Sequence, residues 1–245
     1  MKFRFLHILL LMSLYAGAQS NIETIGELPP QLNETSGLIV FNGRLITHND
    51  SGNEPLLFEF DQETLEIVRT VTVIGATNTD WEAMTQDEDF IYIGDIGNNG
   101  GDRSDLNILK IAKTEYQNST MVTAETIAFS YGDQLDFTTT PNSDFDAEAL
   151  FSFRDELIVL TKQWQSQGTV AYRVPKSPGT FVATPFDTNQ INGLVTDATY
   201  DAPTNTLFLV GYSNILVPFF ASFTNLTANS LFGGTLQKTD LEIGF

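Results

Sequence analysis

Asp80-Trp-Glu-Ala-Met84 and Asp146-Ala-Glu-Ala-Leu150 share one pattern, an aspartate and a glutamate two residues apart, followed by apolar residues. The related stretch Glu34-Thr-Ser-Gly-Leu38 precedes them, and a fainter one, Thr196-Asp-Ala-Thr-Tyr200, follows them. Each stretch is followed at a similar distance by an apolar segment such as Ile91-Tyr-Ile-Gly-Asp95. The chain is therefore a repeat protein with a period of roughly 50 residues.

Alternating apolar segments indicate that the repeats are made of β-strands. Such segments follow the central apolar segment of each repeat, at Leu56–Phe60, Asn107–Ile111, Val170–Val174 and Phe219–Phe223. Three more predict the outer strands, at Glu66–Val73, Ala124–Ser130 and Gly179–Ala183. Helix signals are weak throughout the sequence.

Units of this kind cannot bury their own faces and must stack on their neighbours, which is the situation of blades in a β-propeller. We therefore predict an all-β fold, a β-propeller with about four recognisable blades. The last blade reaches Phe245 at the point where another would begin, so the sequence also predicts an incomplete ring. Residues 21–33 are predicted to form an extended entry segment, of the kind that in closed propellers often pairs with the last blade.

The first residues have the pattern of a secretory signal peptide. A short basic head, Met1–Arg4, is followed by an apolar run that is too short to span a bilayer and ends in Ala16-Gly-Ala18. We predict a signal peptide at residues 1–18, a propeller domain at residues 19–245 that is truncated at its C-terminus, and a secreted or cell-surface protein. No other segment is a candidate membrane span.

Composition excludes several classes of function. The formal net charge is −19, with 31 acidic and 12 basic residues, and cleavage of the leader would remove two of the basic ones. Such a surface repels nucleic acid and anionic lipid. The chain has no cysteine, which excludes a disulfide framework, a thiolate metal site and a cysteine nucleophile.

The repeated acids are the first candidates for a functional site. In an extended strand, residues two apart point to the same side, so Asp80 with Glu82, and Asp146 with Glu148, can each face one site. Clustered carboxylates repel one another unless a cation neutralises them. Oxygen ligands favour Ca²⁺ or Mg²⁺. The alternative is that these acids cap turns and hold neighbouring blades together.

The loops after the central strands, Thr47–Asn53 and Gly94–Asp102, are rich in oxygen donors. The second fails as an EF-hand, because a count from Asp95 places Leu106 at the twelfth position, where a glutamate is needed. Turns with local Asx hydrogen bonds are the default interpretation. His48 is a weak candidate for a catalytic general base, and a hydrogen-bonded channel residue is its alternative role.

Five segments of the sequence resemble those of secreted Bacteroidetes-type β-propeller proteins that often carry a sorting tail. They are Glu34–Leu38, Thr47–Asn53, Asp80–Met84, Gly94–Asn99 and Asp146–Leu150. They are distantly similar to phytase-type esterase-like propellers and to the calcium-dependent six-bladed group of regucalcin and paraoxonase. The resemblance spans roughly residues 21–245 and implies an incomplete six-bladed type. In the calcium-dependent group, Glu, Asn and Asp side chains hold a channel Ca²⁺, which implies the ligands Glu82, Glu148, Asn49 and Asp95, beside the pair members Asp80 and Asp146.

Three functions follow as hypotheses. The leading one is a secreted or cell-surface binding module with a divalent cation, Ca²⁺, in its channel and an extracellular ligand or protein as partner. The second is a calcium-dependent hydrolase of phosphoesters, esters or lactones, in which the cation acts as a Lewis acid. The third is a protein-interaction scaffold whose acidic pairs are architectural. Fold alone does not choose among them.

Overall fold

A computed structural model describes residue 22 and residues 24–241, and its strands form four antiparallel, four-stranded units. The first blade contains β1 (Thr35–Phe41), β2 (Arg44–Asn49), β3 (Leu56–Phe60) and β4 (Ile67–Ile74). The second contains β5 (Trp81–Gln86), β6 (Phe90–Asp95), β7 (Asn107–Ala112) and β9 (Glu125–Tyr131). The short strand between its last two members, β8 (Met121–Thr123), pairs instead in parallel with β4.

The third blade contains β10 (Ala147–Phe153), β11 (Glu156–Thr161), β12 (Thr169–Pro175) and β13 (Gly179–Asn189). The fourth contains β14 (Leu194–Asp201), β15 (Thr206–Tyr212), β16 (Pro218–Thr224) and β17 (Thr235–Asp240). Helical structure in the described residues is limited to a 3₁₀ turn (Pro30–Leu32) and α1 (Lys113–Asn118). No helix in this part of the chain is long and apolar enough to cross a membrane.

Apolar faces join each blade to the next. One buried cluster unites blades one and two, a second blades two and three, and a third blades three and four. The innermost strands β1, β5, β10 and β14 follow one another in space in that order. The predicted all-β propeller with four blades is confirmed, and the central and outer strands lie where the alternation placed them.

The outer strands of blades two and three are also hydrogen-bonded to each other. β9 and β13 run parallel, with Phe129 opposite Phe181, so the two blades form one eight-stranded sheet. This pairing and the pairing of β8 with β4 cover edges that would otherwise expose free backbone groups. The sequence pattern predicted neither contact, because parallel pairing between distant strands leaves no local signal.

The N-terminal segment lies on blade one. Leu28 and Leu32 pack against Phe58 and Phe60, on the face of the blade that does not contact blade two. In the described residues the segment forms no strand pair with β17, unlike the entry segments of closed rings. Residues 1–18, the predicted signal peptide, lie outside the described residues.

A β-bulge interrupts each innermost hairpin at the same place. The register shifts between Trp81 and Ala83, and between Ala147 and Ala149, so that Glu82 and Glu148 are the extra residues of their strands. A similar shift occurs between Thr35 and Leu38 in β1. A bulge bends the strand and changes the direction of the side chain at that position. The Asp-x-Glu pattern therefore marks the position of the bulge in blades two and three.

The bulge in blade four shows which of its residues corresponds to Glu82 of blade two. There the register shifts between Val195 and Asp197, so Thr196 occupies the position of Glu82. The repeated pattern of Asp80-Trp-Glu-Ala-Met84 instead aligns Thr196 with Asp80, two residues away. Blade four therefore has a hydroxyl where blades two and three have a glutamate.

Gly37, beside the bulge in β1, is required for the approach of blades one and two. A Cβ atom there would lie 2.5 Å from the backbone nitrogen of Met84 and 2.7 Å from the carbonyl carbon of Ala83. Both atoms belong to the backbone of β5, so they cannot move aside as a flexible side chain would. The strands must separate if residue 37 has a side chain.

We expect Gly37→Ala to lower the free energy of unfolding by about 2–3 kcal/mol, because overpacking forces such shifts. Gly43→Ala is the matched control, since Gly43 has a φ of 73° and no atom within 4 Å of its added Cβ, so only backbone strain of about 1 kcal/mol applies. Urea unfolding of both variants measures the difference. Equal losses would contradict the close approach of the two blades.

Candidate metal centre

The start of β5 is fixed against the end of β6 by backbone hydrogen bonds. The carbonyl oxygen of Asp80 accepts from the amides of Ile96 at 3.1 Å and Gly97 at 3.2 Å. The amide of Asp80 donates to Asp95 Oδ1 at 3.0 Å. A Cβ atom on Gly97 would lie 2.2 Å from Asp80 Oδ2 and 2.7 Å from Glu82 Oε1. Glycine at position 97 therefore leaves the room that the two carboxylates occupy.

Asp50, Asp80 and Glu82 form a cluster of carboxylates. One carboxylate oxygen from each residue lies within 4.8 Å of the others. Asp50 directly follows β2 of blade one, whereas Asp80 and Glu82 belong to the start of β5 in blade two. The cluster thus joins two blades. Glu82 is buried, with 7% of its surface exposed, and no cation is among the groups that shift its pKa.

Burial and like charges raise the pKa of Glu82 and Asp80. For Glu82, burial is the largest cause and the charge of Glu148 the next, and together with the other carboxylates they raise its pKa to about 10. Burial followed by the charge of Asp50 raises the pKa of Asp80 to about 6. The cluster can ionise fully near neutral pH only if a positive charge joins it.

Asn78 fixes the loop that brings Asp50 to the cluster. Its side-chain amide donates to the carbonyl oxygens of Asn49 at 2.9 Å and Asp50 at 2.7 Å. Its Oδ1 accepts from the amide of Trp81 at 3.0 Å. Asn78 therefore ties blade one to the first residue of β5. Sequence reasoning missed both Asn78 and the place of Asp50 in the acid cluster, because neither belongs to the repeated Asp-x-Glu pattern.

Glu148, the counterpart of Glu82 in blade three, forms an ion pair with Lys162. The Lys162 ammonium also lies 4.2 Å from the ring centre of Trp164. Burial raises the pKa of Glu148 to about 7, although the Lys162 charge acts in the opposite direction. Lys162 thus supplies a positive charge at this end of the channel, on the blade-three side.

Asp146 is satisfied by three donors. Its Oδ1 accepts from the amides of Asn98 at 2.7 Å and Ala147 at 3.0 Å, and its Oδ2 accepts from the Trp164 indole at 2.7 Å. Since Asn98 lies in the loop after β6, this carboxylate holds blade two against blade three. The contact also places the Asp80 and Asp146 pairs at the same end of the propeller.

Asp95 is paired with Arg103. The guanidinium donates to Asp95 Oδ1 at 2.9 Å, to the carbonyl oxygen of Gly97 at 2.8 Å and to Asp105 at 3.0 Å. The same Asp95 oxygen accepts from the Asp80 amide. Asp95 thus has a counter-charge and a structural role in the wall of the site.

Asn49 and His48 directly precede Asp50 in the chain, and both are buried. The Asn49 amide donates to the carbonyl oxygen of Gln31 at 2.8 Å, while Asn49 Oδ1 is buried without a hydrogen-bond donor in the described part of the chain. His48 is fully buried, its Nδ1 lies 2.9 Å from the Asn49 carbonyl oxygen, and its ring meets Trp81 edge-on. Burial lowers the pKa of His48 to about 4, so the imidazole is neutral at pH 7.

The arrangement therefore separates the predicted residues into two groups. Asp80, Glu82 and the added Asp50 present oxygens to one another, with Glu148 near enough to influence the pKa of Glu82. Asp95 and Asp146 use their oxygens in hydrogen bonds between loops and blades. Three oxygens from carboxylates are a donor set suited to a hard divalent cation.

Comparisons with known proteins identify no family. No protein-family model and no curated protein matches the chain. Among solved structures, the chain is similar to U3-55K, at 10% identity and a TM-score of 0.40, over 86% of this chain and 53% of that one. The hydrazine synthase of Kuenenia stuttgartiensis matches at 12% identity and 0.44, over 92% and 70%. The Pan2 WD40 domain of Neurospora crassa matches at 9% and 0.32, over 79% and 62%.

The chain thus spans about half the length of the U3-55K chain that it matches. The predicted resemblance to secreted Bacteroidetes-type propellers and the predicted six-bladed type stay predictions.

The three hydrogen bonds of Asp146 predict a structural role. We expect Asp146→Asn to lower the free energy of unfolding by about 2–3 kcal/mol, because the new amide would direct a donor at the Trp164 indole N–H. The loss should be the same with Ca²⁺ and with a chelator. Asp89→Asn, which changes an exposed carboxylate in the same way, is the control. A loss confined to Ca²⁺-containing buffer would instead assign Asp146 to the metal.

The raised pKa of Glu82 predicts a pH dependence above neutrality. Between about pH 7 and about pH 9 the folded protein keeps a proton on Glu82 that the unfolded chain has released, so stability falls as pH rises, by about 1 kcal/mol per pH unit. His48, whose pKa is lowered, acts in the opposite direction below about pH 6.5 and does not disturb this window.

We expect Glu82→Gln to flatten this decrease in chelator-containing buffer, because glutamine imitates the protonated acid. Glu88→Gln, at an exposed position in the following loop, should leave it unchanged. Urea unfolding across this pH range measures both slopes. Parallel slopes for Glu82→Gln and the wild type would show that the Glu82 pKa is not raised.

Proposed function

We propose that this chain is a β-propeller binding module that holds a divalent cation, Ca²⁺ in the first place, between blades one and two. The observation that carries the proposal is the approach of Asp50, Asp80 and Glu82 to within 4.8 Å of one another. Glu82 is buried among like charges there, which costs free energy unless a cation is bound. A bound cation would lower the pKa of Glu82 and Asp80.

The remaining predicted ligands differ in what they can contribute. Glu148 lies close enough for its charge to raise the pKa of Glu82, and it would extend the donor set if Lys162 were displaced. Asn49 Oδ1 is a buried oxygen with no donor among the described residues, and it is the one amide oxygen in the predicted set. Asp95 and Asp146 would hold the loops that carry the ligands.

The chemistry of the cluster favours Ca²⁺ or Mg²⁺ over zinc or copper. All three acids offer oxygen, the chain has no cysteine, and His48 is buried with Nδ1 directed at a backbone carbonyl. Ca²⁺ accepts irregular sets of six to eight oxygens, whereas Mg²⁺ requires near-octahedral geometry. Carboxylates contributed by two separate blades suit the more permissive ion.

The partner of such a module would be an extracellular ligand or protein, if the leader at residues 1–18 directs export. Secretion or display at the cell surface, and kinship with Bacteroidetes-type secreted propellers, belong to this proposal. An acidic surface with net charge −19 disfavours nucleic acid as the ligand. A scaffold without a cation is the competing function, and it predicts that metals leave stability unchanged.

A metal-dependent hydrolase is supported by one observation. The pKa of Glu148 is raised to about 7 by burial, which is suitable for proton transfer near neutral pH. His48 is buried behind Trp81 and would have no contact with a substrate in the channel. Turnover of an aryl ester, phosphomonoester or lactone that requires metal and Glu148 would favour the hydrolase over the binding module.

We expect Ca²⁺ to raise the melting temperature of the protein, because a ligand that binds only the folded form stabilises it by about 2.7 kcal/mol at one hundred times its dissociation constant. Chelator should reverse the shift. Asp80→Asn combined with Glu82→Gln should abolish it, while Glu88→Gln should retain it. Identical melting curves for folded wild-type protein with Ca²⁺, Mg²⁺ and chelator would refute the cation site and favour the scaffold.

A further inference from the structure

A second polar site lies away from the acid cluster, in a cavity of about 480 Å³ among the four innermost strands. Its wall is formed by residues of β1, β5, β10 and β14, and none of Asp50, Asp80 and Glu82 contributes to it. A cavity of this volume is within the range of small-molecule sites. The opening in the middle of the propeller is therefore large enough to accommodate a ligand side chain or a small molecule.

Part of the wall is aliphatic. Leu38 and Val40 of β1 are 46% and 53% exposed, and Met84 of β5 and Ala198 of β14 complete an aliphatic surface. The polar groups of β5 are already engaged, since the Gln86 amide donates to the Val40 carbonyl oxygen at 2.6 Å and Thr85 Oγ1 accepts from Ser152 at 3.1 Å. The hydroxyl of Tyr200 donates to Asn205.

Asp197 is the charged residue on this wall. Its Oδ1 accepts from the neighbouring Ala198 amide at 2.7 Å, and no salt bridge to Asp197 is found in residues 24–241. Burial raises the pKa of Asp197 to about 7, and no cation contributes to the shift. This differs from Asp95, Glu148 and Asp87, each of which has an arginine or lysine partner.

We propose that the cavity binds a primary ammonium group on an aliphatic stem, with Asp197 accepting the ammonium and Leu38, Val40 and Met84 contacting the stem. A carboxylate placed among apolar atoms without a counter-charge gains most from a ligand that supplies one. An aliphatic stem gains by leaving water for the apolar wall. The same chemistry is offered by a free alkylamine and by a lysine side chain of a protein partner.

The probes are n-pentylamine as the free amine and a capped Gly-Lys-Gly tripeptide as the lysine source, with n-pentanol as the uncharged match. Binding is measured by NMR titration or calorimetry in chelator-containing buffer, so that the acid cluster is not filled with metal. We expect an amine probe to bind at least about tenfold more tightly than pentanol, as charge-assisted hydrogen bonding implies. The tighter of the two amine probes identifies the source.

Asp197→Asn should reduce amine affinity by about tenfold or more and leave pentanol binding unchanged. Asp240→Asn removes the same charge from an exposed position in the same blade and should change neither affinity. In wild-type protein, amine affinity should also rise from about pH 6 to about pH 8, because Asp197 ionises over this range. Tyr200 is the other residue on the wall with a titratable side chain.

Either of two results would overturn the proposal. One is that pentanol binds as tightly as the amines, or that neither amine binds folded wild-type protein. The other is that amine affinity is the same in Asp197→Asn, or, if that variant does not fold, that it is independent of pH in the wild type. This test does not depend on the proposed cation site, because that site is tested with other residues and a different ligand.

Discussion

The burial of apolar faces between consecutive blades is the interaction on which the rest of the structure depends. A four-stranded meander has two faces, and three of the buried clusters mix residues of two adjacent blades, as Phe151 and Phe219 illustrate for blades three and four. This packing fixes the innermost strands side by side. The polar residues at the ends of those strands are then held at distances that their own mutual repulsion would not permit.

The bulges in the innermost hairpins of blades two and three place acidic side chains on this rigid framework. Each bulge adds one residue opposite the central strand, and the two carry Glu82 and Glu148 out of the regular alternation. Arg103 and Lys162 compensate Asp95 and Glu148, but no basic residue forms a salt bridge with Asp50, Asp80 or Glu82 in the described part of the chain. The free energy lost there is offset by the apolar core, so the fold can maintain a cluster of carboxylates that has no basic partner among the described residues.

Much of the fold could be predicted from the sequence, because repeats and alternating apolar residues are local signals. Comparison of the repeats located the bulged strands in blades two and three. In blade four it aligned Thr196 with Asp80 and not with Glu82, because a bulge shifts the register without changing the sequence pattern. The repeat pattern also predicted the same role, that of a metal ligand, for Asp146 and Glu82. Their difference is set by donors from remote residues, the Asn98 amide and the Trp164 indole, which no spacing in the sequence reveals.

A one-residue displacement along β14 accounts for the contrast between the two polar sites. In blades two and three the bulge residue is a glutamate followed by alanine, Ala83 and Ala149, whereas in blade four Thr196 is followed by Asp197. Neighbouring residues of a strand face opposite sides, so moving the acid by one position changes the environment it enters. The carboxylate of blade four therefore lies on the wall of the central cavity and not in the acid cluster. Since no lysine or arginine forms a salt bridge with Asp197 among the described residues, its charge is compensated only if a ligand supplies a cation, and burial otherwise favours its protonated form.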